Sequence, residues 1–425
     1  MKLNVEPLRG FRDIIGSEAL YLETVTKKSE ELARRWGFDR IFLPTVERFE
    51  LFSLKSGEEI RRTMFVFKDK AKREVTLRPE ATASVVRAYL NKMRGLPKPI
   101  KVFSIVNVFR YDEPQFARYR EFYQADFEVL GSPSPLADAE LITMLYEFYS
   151  ELDLPFKVIV GSVKLLREIL SKEGIEGDDQ DHAMHLIDKG LLRELEDFLR
   201  EKAKEPERAI EVIETLIGIE GGVEAIREGL EVAKEYGVSE AKDLEEVASY
   251  LPDDVLKKCV FKVGFARGLA YYTGLIYEVK VEDFPVSVAG GGRYDALSEI
   301  YGGERLPATG FAIGLDRTAL ALEKYGKDVK WKREVAVIPL APEVAKTALE
   351  VQRKLARLGL HSTLLDDFKS LKKALSYVSE KDFKWVVIIG KKDYEEGMVT
   401  IKNMETRRQS KCPLDGLLDC LLATL

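Results

Sequence analysis

Arginines set at short intervals around one turn, with carboxylates further along the same run, are the residues of this chain best suited to chemistry. They lie in VFRYDEPQFARYREFYQADFEVLG, residues 108–131. The run follows the apolar residues Val102, Phe103, Ile105 and Val106, turns through Asp112, Glu113 and Pro114, and returns as a second strand. The pattern predicts a long β-hairpin. Period-two alternation puts Arg118, Arg120, Phe122, Gln124, Asp126 and Glu128 on one face, and Tyr119, Glu121, Tyr123, Ala125 and Phe127 on the other. A solvated sheet face shows the same alternation. Arg110, on the outgoing strand, faces this ladder as a further cation, and several arginines around one hairpin suit an anion such as phosphate.

Three more stretches carry reactive or binding groups. Arg267 lies between Gly264 and Gly268, where the backbone can approach a ligand closely, and Tyr271 and Tyr272 follow it. If extended, the two tyrosines point to opposite faces, one into the core and one into a pocket. GFAIGLDR reads as a strand running into a helix, with Gly310 and Gly314 thinning the strand so that a flat ring can lie on it. Arg317 stands at the helix start. A helix N-terminus with an arginine is a competent polyphosphate site, and an ordinary salt bridge explains the same arginine equally well. Glu80 and Thr82 follow Pro79 at the start of a predicted helix over 79–90, where capping alone accounts for them. His182 and His185, one helical turn apart beside Asp181, lack a third metal ligand and read as a polar helix face. Neither a GxGxxG fingerprint nor a GxxxxGK[ST] loop occurs, which disfavours Rossmann oxidoreductases and Walker-type ATPases.

The elements that must position these groups follow from periodicity. A helix is expected over 17–36 with Ser17 as its N-cap, then a strand over 39–49 interrupted by Pro44, which only an edge or interface strand tolerates. Further helices or strands are expected at 63–68, 74–77, 136–152 and 156–161. From 162 to 251 the texture turns to charge-rich helices, and sheet character resumes at Cys259. A charged linker over 327–333 precedes an α/β segment of about ninety residues with a mixed sheet. Its cations, Lys369, Lys372, Lys373, Lys391, Lys392, Arg407 and Arg408, suit a solvated surface.

A chain of 425 residues, 45% hydrophobic, can bury a large core in two or three domains. No long uncharged apolar run and no N-terminal apolar segment is present, so export and membrane insertion are not expected. Three cysteines (Cys259, Cys412, Cys420) without CxxC spacing argue against a zinc site or a disulfide framework and fit a reducing, cytoplasmic compartment. The net charge of −6 advertises no polyanion partner, so nucleic-acid contacts must be local.

The hairpin resembles motif 2 of the class II aminoacyl-tRNA synthetases in its histidyl-tRNA synthetase form, with FR, a loop carrying PQ, then RYREF and a Gln and Glu further on. ARGLAYYTG at 266–274 and AGGGRYD followed by GFAIGLDR, ending at Arg317, resemble the histidine-specific block and motif 3. The resemblance implies an α+β fold. An antiparallel-sheet catalytic domain would occupy 1–161 and 256–326, a helical insertion 162–255 that grips the tRNA acceptor arm, and an anticodon-binding α/β domain 333–425. It implies a homodimer built on the Pro44 strand, and a histidine–tRNA ligase using ATP and Mg²⁺, with L-histidine and tRNA(His) as partners and no protein-bound metal. Histidine would be held by Glu80, Ala81, Thr82, Arg110, Gln124, Glu128, Arg267, Tyr271 and Tyr272. ATP would be held by Arg110, Arg118 and Arg317, with Arg267 and Arg110 catalytic. Ala270, where many members carry Asp, and Glu113, where many carry Arg, depart from the pattern. A regulatory histidine-binding paralogue of ATP phosphoribosyltransferase shares the catalytic fold, but such proteins typically lack the C-terminal domain and erode the arginines. A synthetase of another specificity is disfavoured by RGLAYY.

Overall fold

A computed structural model describes residues 3–54, 62–238, 242–267, 271–327, 329, 334–366 and 370–422. Ala270, Gly268, Lys369 and most of the expected linker lie outside the described residues. The chain forms two compact units that divide between Val329 and Lys330.

The first unit is organised on a nine-stranded sheet in the order β1-β5-β6-β12-β11-β10-β7-β9-β8. These strands are β1 Asp39–Arg40, β5 Ile100–Phe109, β6 Glu121–Leu130, β7 Phe156–Ser162, β8 Glu220–Gly221, β9 Cys259–Lys262, β10 Leu275–Val281, β11 Ala289–Arg293 and β12 Ala308–Gly314. From β5 to β7 every neighbour is antiparallel. The sheet as a whole is mixed, because β1 joins β5 and β9 joins β7 in parallel. Both parallel partners arrive from distant segments rather than from hairpins, which is the connection that parallel pairing requires.

The expected hairpin is β5 and β6, joined in register from Ile100↔Leu130 to Phe109↔Glu121. Alternation along β6 divides two environments. Phe127 stands opposite Phe103 and Phe311 on its neighbours, and its ring stacks on theirs at 5.9 and 4.7 Å. Beneath this ladder lie α1 (Gly16–Arg35) and a helix we label α4 (Pro135–Glu151), which contribute Val25, Leu32, Leu141, Ile142 and Tyr149 to the same core. Burying each such aromatic ring stabilises the fold by roughly 3 kcal/mol. The other face of β6 carries Gln124, Asp126 and Glu128. Helix α1 starts one residue before the expected Ser17; its N-cap is Ile15, without a side-chain cap bond.

Pro44 ends the pairing of the segment expected as one strand. Before it, β1 pairs with β5; after it, the chain leaves for a small sheet of β2 (Val46–Arg48), β3 (Val66–Lys68) and β4 (Glu74–Leu77) in the order β2-β4-β3. The carbonyls of Leu43 and Pro44 accept from Arg78 Nη1 at 2.9 and 3.0 Å. Helix α2 (Phe49–Ser53) follows β2, and α3 (Thr82–Ala88) continues into a π-turn over Tyr89–Met93. After β7 come α5 (Val163–Lys172), α6 (Gly177–Lys189), α7 (Leu192–Lys202), α8 (Pro206–Gly218), α9 (Val223–Tyr236), α10 (Asp243–Tyr250) and α11 (Asp253–Leu256). These helices share a hydrophobic core with the sheet: Leu166, Leu199 and Ile213 cluster with Val102, Leu130 and Ile276. Within them His182 lies edge-on against Phe198. Short α12 (Leu297–Ile300) and α13 (Leu315–Lys324) flank β12.

The second unit is a five-stranded mixed sheet, β14-β13-β15-β16-β17. Its strands are β13 Val335–Pro339, β14 Ser362–Leu364, β15 Trp385–Ile389, β16 Met398–Asn403 and β17 Gln409–Pro413. Alternation in β13 and β15 again separates two cores. Val335, Val337, Trp385 and Val387 pack with Val351 and Leu355 of α14 (Ala345–Arg357). Ala336, Ile338, Val386 and Ile388 pack with Ala374 and Val378 of α15 (Leu371–Glu380). Helices α16 (Lys391–Glu395) and α17 (Leu417–Leu422) complete it. Contrary to the reading of the cysteines, Cys412 and Cys420 form a disulfide with Cα atoms 6.5 Å apart. The turn from β17 into α17 brings the two residues within bridging distance, which spacing alone did not reveal.

Candidate active site

One cleft of about 320 Å³ opens over the polar face of β6. Its walls collect Glu80, Thr82, Arg110, Arg118, Gln124, Arg267, Tyr271, Tyr272 and Arg317, residues drawn from four separate stretches of chain. Two glycines make room for charged side chains against the sheet. A Cβ on Gly290 of β11 would stand 1.8 Å from Arg267 Nη1, and one on Gly310 of β12 would stand 1.7 Å from Glu128 Oε2. Arg267 therefore lies across β11, with Nη1 donating to the Tyr277 carbonyl at 2.8 Å. The thinning expected at Gly310 accommodates Glu128 rather than a ligand ring.

The cleft is electrically split. At one end stand Arg110, whose Nε donates to the Pro79 carbonyl at 2.9 Å, together with Arg118, Arg267 and Arg317. Arg317, in the first turn of α13, donates to the Ala117 carbonyl at 3.1 Å and the Ser287 carbonyl at 3.0 Å. Burial and then the neighbouring charges of Arg110, Arg118 and Arg267 push its guanidinium down to about 10, with Asp112 opposing. A buried guanidinium depressed by crowded cations marks a site that an anion stabilises.

At the other end Glu80, Asp126 and Glu128 are 5%, 3% and 2% exposed. Thr82 Oγ1 donates to Glu128 Oε1 at 2.6 Å and Tyr294 OH donates to its other oxygen. Burial raises Glu128 to about 8, against those two hydrogen bonds and with help from Glu80. Burial also raises Glu80, and it raises Asp126 with the added repulsion of Glu128 and Glu80. Gln124 Oε1 and Asp126 Oδ2 are buried without a hydrogen-bond partner. Such groups invite a donor from a ligand. Tyr271, Tyr272 and Tyr294 wall this end, with ring centroids 5.1 Å apart for the first pair and 6.0 Å for Tyr271 and Tyr294.

Several expected positions are corrected. Ala81 is fully buried beside Val106 and Val108 and does not line the cleft. Glu128 lies behind the lining and is reached through Thr82 and Tyr294. Tyr271 and Tyr272 both line the cleft, because the segment turns there instead of running extended. Arg120 points away: it donates to the Asp112 and Arg9 carbonyls and stacks over Tyr111 at 3.7 Å. Glu80 caps α3, accepting from Ala83 N at 3.0 Å, and lines the cleft as well. Glu113 forms an exposed ion pair with Arg9. Sequence reasoning omitted Asp126, Tyr294, Glu278 and Lys189 from the site, all of which line it. Alternation placed Asp126 on the right face, whereas nothing in the sequence brings Lys189 at the end of α6 to the wall. Among the described residues no group of three or more His, Cys, Asp or Glu could hold a metal ion.

The histidyl-tRNA synthetase family profile matches residues 10–318 and an anticodon-binding-domain profile matches residues 334–424. The chain is 42% identical over 436 residues to the histidine–tRNA ligase of Sulfolobus acidocaldarius and 40% identical over 439 residues to that of Saccharolobus solfataricus, with 99% of each chain covered in both cases. Its fold matches a crystal structure of histidyl-tRNA synthetase from Nostoc sp. with a TM-score of 0.80 over 100% of both chains at 22% identity. An ATP phosphoribosyltransferase regulatory subunit/histidyl-tRNA synthetase from Bacillus halodurans shares the fold with a TM-score of 0.75, covering 91% of this chain and 99% of that one. With full-length relatives at this identity and a family match over most of its length, the chain belongs to the histidyl-tRNA synthetase family, enzymes that ligate histidine to tRNA.

Proposed function

We propose that the split cleft binds L-histidine and ATP end to end, forms histidyl-adenylate, and then transfers histidine to the 3′ end of tRNA(His). The observation that carries this reading is the placement of four arginines against the buried carboxylates Glu80 and Asp126 in one cavity, with Glu128 buried just behind its lining. Adenylate formation drives one anion, the substrate carboxylate, against the α-phosphorus of ATP while pyrophosphate leaves. Arg110 and Arg267 neutralise the α-phosphate and the attacking carboxylate; Arg118 and Arg317 take the distal phosphates. Because the guanidiniums of Arg110, Arg267 and Arg317 are anchored on carbonyls before substrate arrives, little reorganisation is needed during reaction. Glu80, Thr82 and Gln124, with Tyr271 and Tyr272, surround the amino acid, and Glu128 acts through Thr82 and Tyr294. A polar pocket of this kind rejects side chains that leave its groups unpaired. Mg²⁺ bound with ATP would supply charge neutralisation at the phosphates, and Asp112 and Glu278 of the cleft lining would be the oxygen donors to hold it.

The second unit reads the anticodon. Helices α5–α11 hold the acceptor arm, a role supported by Lys189 of α6 at the cleft wall. The enzyme works in the cytoplasm as a homodimer through the segment around Pro44, where Phe42 is 83% exposed. No helix among the described residues is long and apolar enough to cross a membrane.

The test is amino-acid-dependent ATP–pyrophosphate exchange with wild type and Arg267→Ala. Wild type is expected to exchange with histidine alone, and the variant to lose about 100-fold or more in rate. Exchange in Arg267→Ala close to wild type removes that arginine from the catalytic set.

A further inference from the structure

We infer that Asp126 is a further substrate-binding residue, whose unpartnered carboxylate oxygen accepts a hydrogen bond from the α-ammonium of histidine. The inference rests on the ligase reading above and deepens it.

Asp126 sits midway along the cleft face of β6, lines the cavity, and is 3% exposed with Oδ2 lacking any hydrogen-bond partner. Its surroundings contain cations that do not reach it. Arg78 spends its donors elsewhere: Nε on the Asn107 carbonyl at 2.8 Å, Nη1 on the carbonyls of Leu43 and Pro44, Nη2 on Asn107 Oδ1 at 2.9 Å. Arg110 commits its Nε to the Pro79 carbonyl. Across the sheet the register partners of Asp126 are Ala312, which has no side-chain donor, and Ser104. A serine hydroxyl has one proton, whereas a carboxylate offers about four acceptor sites. A buried carboxylate left in this state is costly. A cationic ligand removes that cost.

The order of groups along β6 selects which cation. The loop with Arg110 and Arg118 lies at the start of the strand, and Gln124, Asp126 and Glu128 follow at intervals of roughly 6.5 Å. A histidine whose carboxylate meets the arginines, and whose ring enters the tyrosine-walled end beside Tyr294 and Glu128, presents its α-ammonium between them. That position is Asp126, with Gln124 and its own unpartnered Oε1 next to it.

The experiment measures equilibrium binding of L-histidine, histidinol and imidazolepropionate to wild type and Asp126→Asn. Histidinol keeps the ammonium and lacks the carboxylate; imidazolepropionate keeps the ring and carboxylate and lacks the ammonium. Asp126→Asn is expected to weaken histidine and histidinol by about 10- to 100-fold and to leave imidazolepropionate unchanged. Unchanged histidine affinity, or an equal loss for all three ligands, overturns the inference. Wild-type protein that binds no histidine overturns the ligase reading instead. Should the variant fail to fold, a structure of the wild type with histidine decides: an Asp126 oxygen at hydrogen-bond distance from the ammonium supports the inference, and one beyond that distance refutes it.

Discussion

Glu128 shows how one buried carboxylate couples the site to stability. Its folded value, raised from 4.5 to about 8 chiefly by burial, means that the folded protein binds its proton more tightly than the unfolded chain does. The stabilising contribution is therefore complete below 4.5 and is lost as pH rises through about 8. Glu80 and Asp126 are raised in the same direction and add to the loss. We expect the stability of the ligand-free protein, read as its melting temperature, to fall between about pH 4.5 and about pH 8, and Glu128→Gln to flatten that fall. Parallel melting curves for the two proteins would contradict the assignment. At the arginine end the sign is opposite: an anion such as phosphate would relieve the repulsion around Arg317, so in the proposed reaction each end of the cleft is completed by the charge that its substrate brings.

Strands β6, β11 and β12 act as a ruled surface on which these charges are laid. Their register fixes Glu128 opposite Gly310 and Asp126 opposite Ala312, and the missing side chain at Gly310 is the space that Glu128 fills. Gly310→Ala places a methyl against Glu128 and against the Phe127 carbonyl, 2.6 Å away. We expect about 1–3 kcal/mol of destabilisation, and a KM for histidine raised about tenfold or more with the KM for ATP little altered. Steady-state exchange kinetics separate these; a variant with wild-type KM for histidine would show that Glu128 has no part in binding. Helix α13 performs the matching task at the other end. Asp316 binds both Arg12 and the Tyr123 amide, at 2.5 Å for the latter, and so fastens the helix that carries Arg317 to β6.

For the whole molecule, a run of apolar side chains stands out of place on a lone chain. Val5, Leu8, Ile15 and Phe42 are 82%, 75%, 77% and 83% exposed. The proposed homodimer would cover such side chains. Analytical ultracentrifugation of the purified protein is expected to give twice the 48.3 kDa chain mass, and a species at the chain mass across micromolar concentrations removes the dimer from the proposal. The two units have separate cores.

The sequence by itself determined the family, the β5–β6 hairpin, the face of β6 that is polar, the helical run after β7 and the α/β character of the last segment. Each depends on local period or on blocks whose residues are adjacent in the chain. The four arginines it singled out all line the cleft. Only the tertiary structure decided which side chains meet. Arg120 shares the spacing of Arg118 yet turns outward, because the Asp112 and Arg9 carbonyls and the Tyr111 ring hold its guanidinium; Ala81 sits between two cleft residues yet faces the core. Asp126 passed as an ordinary polar position because its lack of a partner depends on where Arg78 spends its donors. Lys189 and the Cys412–Cys420 pair come together through packing between elements. Periodicity reports which face a residue occupies within its own element, and the charge, burial and hydrogen bonds that make a site arise between elements.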